Sequence, residues 1–138
     1  AQPLTVFILG ISTNTAAYRF FYDAPGGVNR TAFLLDTADD MTASDGVANL
    51  VDGDGPMDLF AVFTVYHNGS SSYIRTNSVQ AVSGNAGTGS SDGVIMGQHF
   101  SSSLTLDGMI TEMIWYNATL SDGDRTSVED YLKTRGGL

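Results

Sequence analysis

Met109-Ile110-Thr111-Glu112-Met113-Ile114-Trp115-Tyr116, followed a few residues on by Ser121-Asp122-Gly123-Asp124-Arg125, decides the fold of this chain. The first run has no 3.6-residue period, and its length and aromatic, β-branched content read as a strand. The second opens a helix. Ser121 stands three residues before Asp124, where its hydroxyl can accept from a free first-turn amide, and Asp122 and Asp124 suit the positive end of the helix dipole. Val128, Tyr131 and Leu132 follow at i, i+3 and i+4, Lys133 and Arg135 sit at the negative end, and Gly136-Gly137 stops the helix after about three turns.

Both alternating sets of this strand are apolar: Met113 and Trp115 on one side, Ile110, Ile114 and Tyr116 on the other. The same holds in Met57–Tyr66, with Leu59, Ala61, Phe63 and Val65 against Phe60, Val62 and Tyr66. A sheet with one wet face alternates apolar and polar residues, so these two strands need cover on both faces. Either the terminal helix and long loops supply it, or a partner subunit does.

Further outward, short apolar runs alternate with Gly, Ser, Asn and Asp clusters. Leu4–Ile11, Tyr18–Tyr22, Arg30–Asp36, a weaker Val47–Val51, Tyr73–Arg75, Ser78–Val82 and Val94–Gln98 read as strands. Pro25-Gly26-Gly27 and Asp52-Gly53-Asp54-Gly55-Pro56 read as turns, the Asp-rich stretch around Asp39-Asp40 as polar connection, and Ser83–Gly93 as a Gly/Ser loop. The pattern is an all-β chain, residues 1–138 forming one domain, closed by one helix.

Composition narrows the partners. The chain has 138 residues, Lys+Arg 6 against Asp+Glu 15, a net charge of −9 and no cysteine. One lysine and five scattered arginines make no basic stripe, which argues against nucleic acid. Asp outnumbers Glu, which occurs only at Glu112 and Glu129, as expected of a turn-rich protein. Without cysteine there is no thiol nucleophile, thiolate zinc site or disulfide. No apolar run reaches the roughly 18–20 residues of a membrane span.

The stretch Asp107-Gly108-Met109 through Asp124-Arg125, with Val128-Glu129-Asp130-Tyr131-Leu132 and Gly136-Gly137-Leu138, resembles the closing strand and helix of concanavalin A-like (laminin G-type) domains. Gln2-Pro3-Leu4-Thr5-Val6-Phe7, Ser72-Tyr73-Ile74-Arg75-Thr76-Asn77 and Gly84-Asn85-Ala86-Gly87-Thr88 with Val94-Ile95-Met96-Gly97 add matches upstream. The resemblance implies an antiparallel jelly-roll β-sandwich with one short C-terminal helix. It is similar to the versions in bacteriophage virion proteins and bacterial surface or secreted proteins, where the fold serves as a binding or structural module. Relatives usually carry further residues before the Pro-x-Thr-Val-Phe-like strand, so this version omits early strands, another chain completes the sheet, or a longer protein precedes it.

Candidate chemistry is sparse. Retaining glycosidases need two carboxyl groups about 5–5.5 Å apart, and the Glu-x-Asp-x-x-Glu strand motif of related glucanases is missing. Glu112 stands alone and reads as a structural acid. His67 and His99 end strand-like runs outside any metal-ligand spacing, and no Gly-x-Ser-x-Gly elbow occurs; both read as surface or packing histidines. The expectation is a protein without catalytic residues or an obligate cofactor. Calcium is the one ion with a motive, since laminin G-type folds place one at the rim: Asp36, Asp39, Asp40 and Asp45 form one cluster, and Asp52 with Asp54 forms the favoured one.

The leading expectation is a structural protein on the outside of a bacteriophage virion, of the capsid decoration or cementing type. It would form a homo-oligomer, a trimer by preference, and dock on a major capsid protein through Leu4, Val6, Phe60, Val62 and Tyr66. The alternative is a carbohydrate- or receptor-binding module of a tail fibre or bacterial surface protein, located outside the cell. Tyr73, the aromatic in the more polar setting, and Asn85 are then the ligand residues, while Trp115 belongs to the core.

Overall fold

The computed structural model describes residues 2–13, 17–26, 30–53, 55–56 and 58–138. Among the described residues, ten strands build two antiparallel five-stranded sheets, and one α-helix follows the last strand. The first sheet runs β10 (Gly108–Tyr116), β1 (Leu4–Ser12), β6 (Ala61–His67), β7 (Ser72–Thr76) and β8 (Val79–Gly84). The second runs β5 (Asn49–Asp52), β4 (Met41–Ser44), β3 (Ala32–Leu35), β2 (Arg19–Asp23) and β9 (Ile95–Met96). This is the β-sandwich with a C-terminal helix expected from the sequence.

The main core lies between the sheets. Val6, Ile8, Phe63, Val65 and Ile74 from one meet Phe21, Phe33, Leu35, Met41, Ala43 and Leu50 from the other. Phe21, Phe33 and Phe63 pack within 5.0–5.5 Å of one another, ring to ring. A bulge in β2 between Phe20 and Tyr22 lets two successive residues, Phe21 and Tyr22, face this core.

The helix α1 (Asp122–Gly136) covers the outer face of the first sheet. Leu132 packs with Phe7, Leu9 and Val62, flanked by Phe60, Ile114, Tyr116, Leu120 and Val128. The cover required by the two-sided strands is therefore supplied by the chain itself. The caps are those the sequence indicates: Ser121 accepts from the Asp124 amide, and Gly137, at φ 68°, ends the helix in the left-handed region. At 15 residues the helix makes about four turns, one more than expected.

Three expectations need correction. Leu4, Val6, Val62 and Tyr66, placed on a partner interface, are buried within the chain, and Phe60 is half-buried against the helix layer. Neither strand is an edge: β1, with Leu4 and Val6, pairs with β10 and β6, and β6, with Val62 and Tyr66, pairs with β1 and β7. The polar stretch after Asp40 contains a strand, β4, whose Met41 and Ala43 point inward while Thr42 and Ser44 point out. The strand expected from Met57 begins at Ala61, after Asp58 has taken a left-handed φ of 53° and given its amide to the Ser12 carbonyl.

Candidate functional site

Strand alternation places a second set of side chains on the open face of the second sheet. Phe20 from β2, Leu34 from β3, Thr42 and Ser44 from β4, and Asn49 and Val51 from β5 all line a cleft there. The segment after β9 folds over this face and lays Leu104 on Phe20, Ala32 and Leu34. Tyr18, Arg30, Asp36, Gly46 and His99 complete the wall, enclosing about 430 Å³. Half of this lining is apolar and half carries hydroxyl, amide or charged groups, which suits a ligand with C–H faces and many hydroxyls.

Arg30 is held by an ion pair and a ring contact. Its Nη1 donates to Asp23 Oδ2 at 2.8 Å, and its guanidinium carbon lies 4.5 Å from the centre of the Phe100 ring. Asp23 is fully buried and also accepts from the amides of Ala24 (Oδ1, 2.8 Å) and Phe100 (Oδ2, 3.1 Å). A buried carboxylate with three donors is a fixed counter-ion, so Arg30 is preorganised. Among the described residues, Nη1 carries the guanidinium's hydrogen bonds, Nε is buried without a partner, and Nη2 makes no hydrogen bond.

His99 stands beside it. Its Nε2 is 3.2 Å from Arg30 Nη1 and 3.9 Å from Asp23 Oδ2, and its Nδ1 receives the Ser101 amide at 3.2 Å. Phe20 meets the ring edge to face at 4.8 Å and Phe100 lies at 4.7 Å. The Asp36 carboxylate is occupied by the Ala38 and Asp40 amides.

The turn behind Arg30 is held by Asp45. Its Oδ1 accepts from Val47 and Ala48, its Oδ2 from Gly89, and its carbonyl takes the Arg30 amide. Burial pushes its carboxyl pKa up, but the amides of Ala48, Val47, Gly89 and Thr88 outweigh this and hold it below the usual value. Gln2 ties the same loop down through the carbonyls of Gly87 and Gly89.

Of the residues singled out from the sequence, Asp36 and His99 line the cleft and Asp45 braces it, while the others lie elsewhere. Tyr73 sits on β7 of the first sheet, 4.9 Å from the Tyr66 ring and under Arg125. Asn85 is exposed in the loop after β8, its Oδ1 accepting from Gly87. Asp39 pairs with Arg19, Asp52 ends β5, and Asp54 lies outside the described residues. Among the described residues no three His, Cys, Asp or Glu side chains gather as a metal site. Glu112 accepts from Tyr131 at 3.0 Å and faces Arg135 at 3.5 Å. His67 is buried in the core, whereas His99, read as a surface or packing residue, lines the cleft. No local motif marks the cleft residues; the available signal was the polar half of each alternation, Thr42, Ser44 and Asn49.

The β-sandwich has solved counterparts. The CBM40 domain of Ruminococcus gnavus IT-sialidase bound to α2,3-sialyllactose matches with a TM-score of 0.72 over 92% of this chain and 82% of that one, at 14% identity. The same domain bound to α2,6-sialyllactose matches at 0.66 and 13% identity. Trypanosoma rangeli sialidase in complex with sialic acid matches at 0.68 and 13% identity over 96% of this chain, which spans 23% of the enzyme. The chain shares the β-sandwich fold of these structures. No protein-family model matches its sequence, and no curated protein does. Among the described residues no helix is long and apolar enough to cross a membrane.

Proposed function

We propose that the chain is a carbohydrate-binding module that works outside the cell and holds an acidic glycan, of the sialic-acid-bearing kind, in the cleft over β5, β4, β3 and β2. The carrying observation is Arg30, fixed by buried Asp23 and stacked on Phe100, beside a lining of Thr42, Ser44, Asn49, Tyr18 and Phe20. A fixed guanidinium donates charge-assisted hydrogen bonds to a carboxylate, aromatic and aliphatic side chains take the sugar's C–H faces, and hydroxyl and amide groups take its hydroxyls. The similar structures hold sialyllactose or sialic acid, which supports the same ligand class here. The capsid-docking reading loses support, because the strand expected to dock is central in its sheet.

Titration calorimetry with α2,3-sialyllactose and with lactose tests this reading. The acidic sugar should bind with a Kd in the micromolar to millimolar range and lactose far more weakly. Tyr18, 47% exposed, can be truncated without opening the core. Tyr18→Ala should weaken binding about fivefold or more, since aromatic contacts dominate such sites, while Tyr73→Ala on the other sheet leaves it unchanged. Equal binding of both sugars, or binding of neither, overturns the proposal.

A further inference from the structure

We propose that His99 is a second anion-holding residue of this cleft, and that an acidic glycan binds together with a proton taken up by its ring; this rests on the glycan reading above. The geometry is a competition between donors. The Ser101 amide points at Nδ1 and Arg30 Nη1 at Nε2, both at 3.2 Å. A neutral imidazole offers one lone pair, so only one of these donors is satisfied at a time. Protonation puts a hydrogen on both ring nitrogens: the exposed Ser101 amide loses its acceptor at Nδ1, and the Nε2–H and the Arg30 Nη1–H face the same small space. An anionic oxygen placed between them accepts from both.

The charges around the ring give the sign. Arg30 and Asp23 lie against it as a pair of opposite charge, Phe20 and Phe100 pack against it, and Tyr18 and Asp36 are the other titratable groups of the cleft wall. A ligand carboxylate at Arg30 adds a second anion to the cluster, which favours the imidazolium. By linkage, a protonated His99 must then tighten the carboxylate in equal measure. Nothing covalent is involved: the proton comes from solvent and returns on release. Leu104 closes over the same wall, keeping the interaction less screened than on an open surface.

His67, the other histidine, does not interfere. It is sealed in the core and its pKa is lowered by burial to about 4, so it stays neutral over the range in question. The ligand carboxyl stays ionised there too, its ordinary range lying near or below about pH 4.

The experiment measures the Kd of α2,3-sialyllactose from about pH 8 to about pH 5, the span in which imidazoles ordinarily change charge, for the unmodified chain and for His99→Gln. The unmodified chain should bind roughly five- to tenfold more tightly at the acid end, and the variant should show a flat, weaker profile. The ring resonances of His99 give a readout that needs no variant: adding sialyllactose near neutral pH should move them toward the imidazolium, and lactose should not. Binding without pH dependence, or an unchanged pH profile in His99→Gln, overturns the role of His99 and leaves the glycan reading standing. Absence of binding at every pH overturns the glycan reading and this inference together.

Discussion

His67 shows how far one buried group sets the pH response of the whole fold. It is fully buried, its Nε2 lies 2.6 Å from the Tyr22 hydroxyl, and its Nδ1 has no partner among the described residues. Burial, and then the neighbouring Asp23 charge, raises the Tyr22 pKa well above its usual value, so the hydroxyl keeps its proton and shares one hydrogen bond with the ring. Burial lowers the His67 pKa to about 4, with the Asp45 charge opposing in part. The unfolded chain, with an ordinary histidine pKa of about 6.5, therefore binds this proton at higher pH than the folded one does. Stability should fall as the pH drops from about 6.5 to about 4, by about 3 kcal/mol in total, and become flat in this respect below. Urea unfolding at a series of pH values checks it, and His67→Gln should remove most of the slope. Gly87 makes a second prediction. At φ 81° it already occupies the left-handed region, and a Cβ there would fall on the Asp45 carboxyl group. Gly87→Ala should cost more than about 1 kcal/mol, whereas Gly26→Ala, with a positive φ but open space around it, should cost less. Chemical denaturation separates the two.

Among the elements, α1 was the most legible, because capping chemistry is local. Ser121, the first-turn aspartates and Gly137 each act within a few residues of where they stand in the chain. What the helix packs on was only half readable. Glu129 falls on the buried side, accepts from Thr64 Oγ1 at 2.8 Å, and pairs with Arg75 Nε at 2.9 Å. Together with Leu132 it is the side chain of α1 that is fully buried. Leu132→Ala should cost about 2–5 kcal/mol by leaving a cavity over Phe7 and Val62. Glu129→Ala should cost about 3–5 kcal/mol, since Arg75 keeps a charge in a half-buried place without its partner. Thermal melts followed in the far ultraviolet check both. Strand β4 was the element missed: aspartates on both sides hid the two-residue alternation of Met41-Thr42-Ala43-Ser44, and it is this strand that carries two of the hydroxyls in the cleft.

Over the whole molecule, the two sheets share one aromatic core, in which Phe63 from the first meets Phe21 and Phe33 from the second. Phe63→Ala should cost about 3–5 kcal/mol and loosen both sheets at once. Unfolding followed by the fluorescence of Trp115, which packs edge to face on Tyr22 at 4.9 Å, should therefore coincide with that followed by circular dichroism. The sequence by itself determined the β-rich composition, most strand positions, the helix with both its caps, and the requirement that two strands be covered on both faces. These follow from periodicity and capping, which act over a few residues. Only the tertiary structure decided that β1 lies between two strands and offers no free edge, and that Arg30, Asp23 and His99 converge beneath Phe20 and Leu104. Those residues are separated by up to 76 positions in the chain, and what brings them together is sheet order, a bulge in β2 and one folded-over loop, none of which leaves a pattern in neighbouring residues.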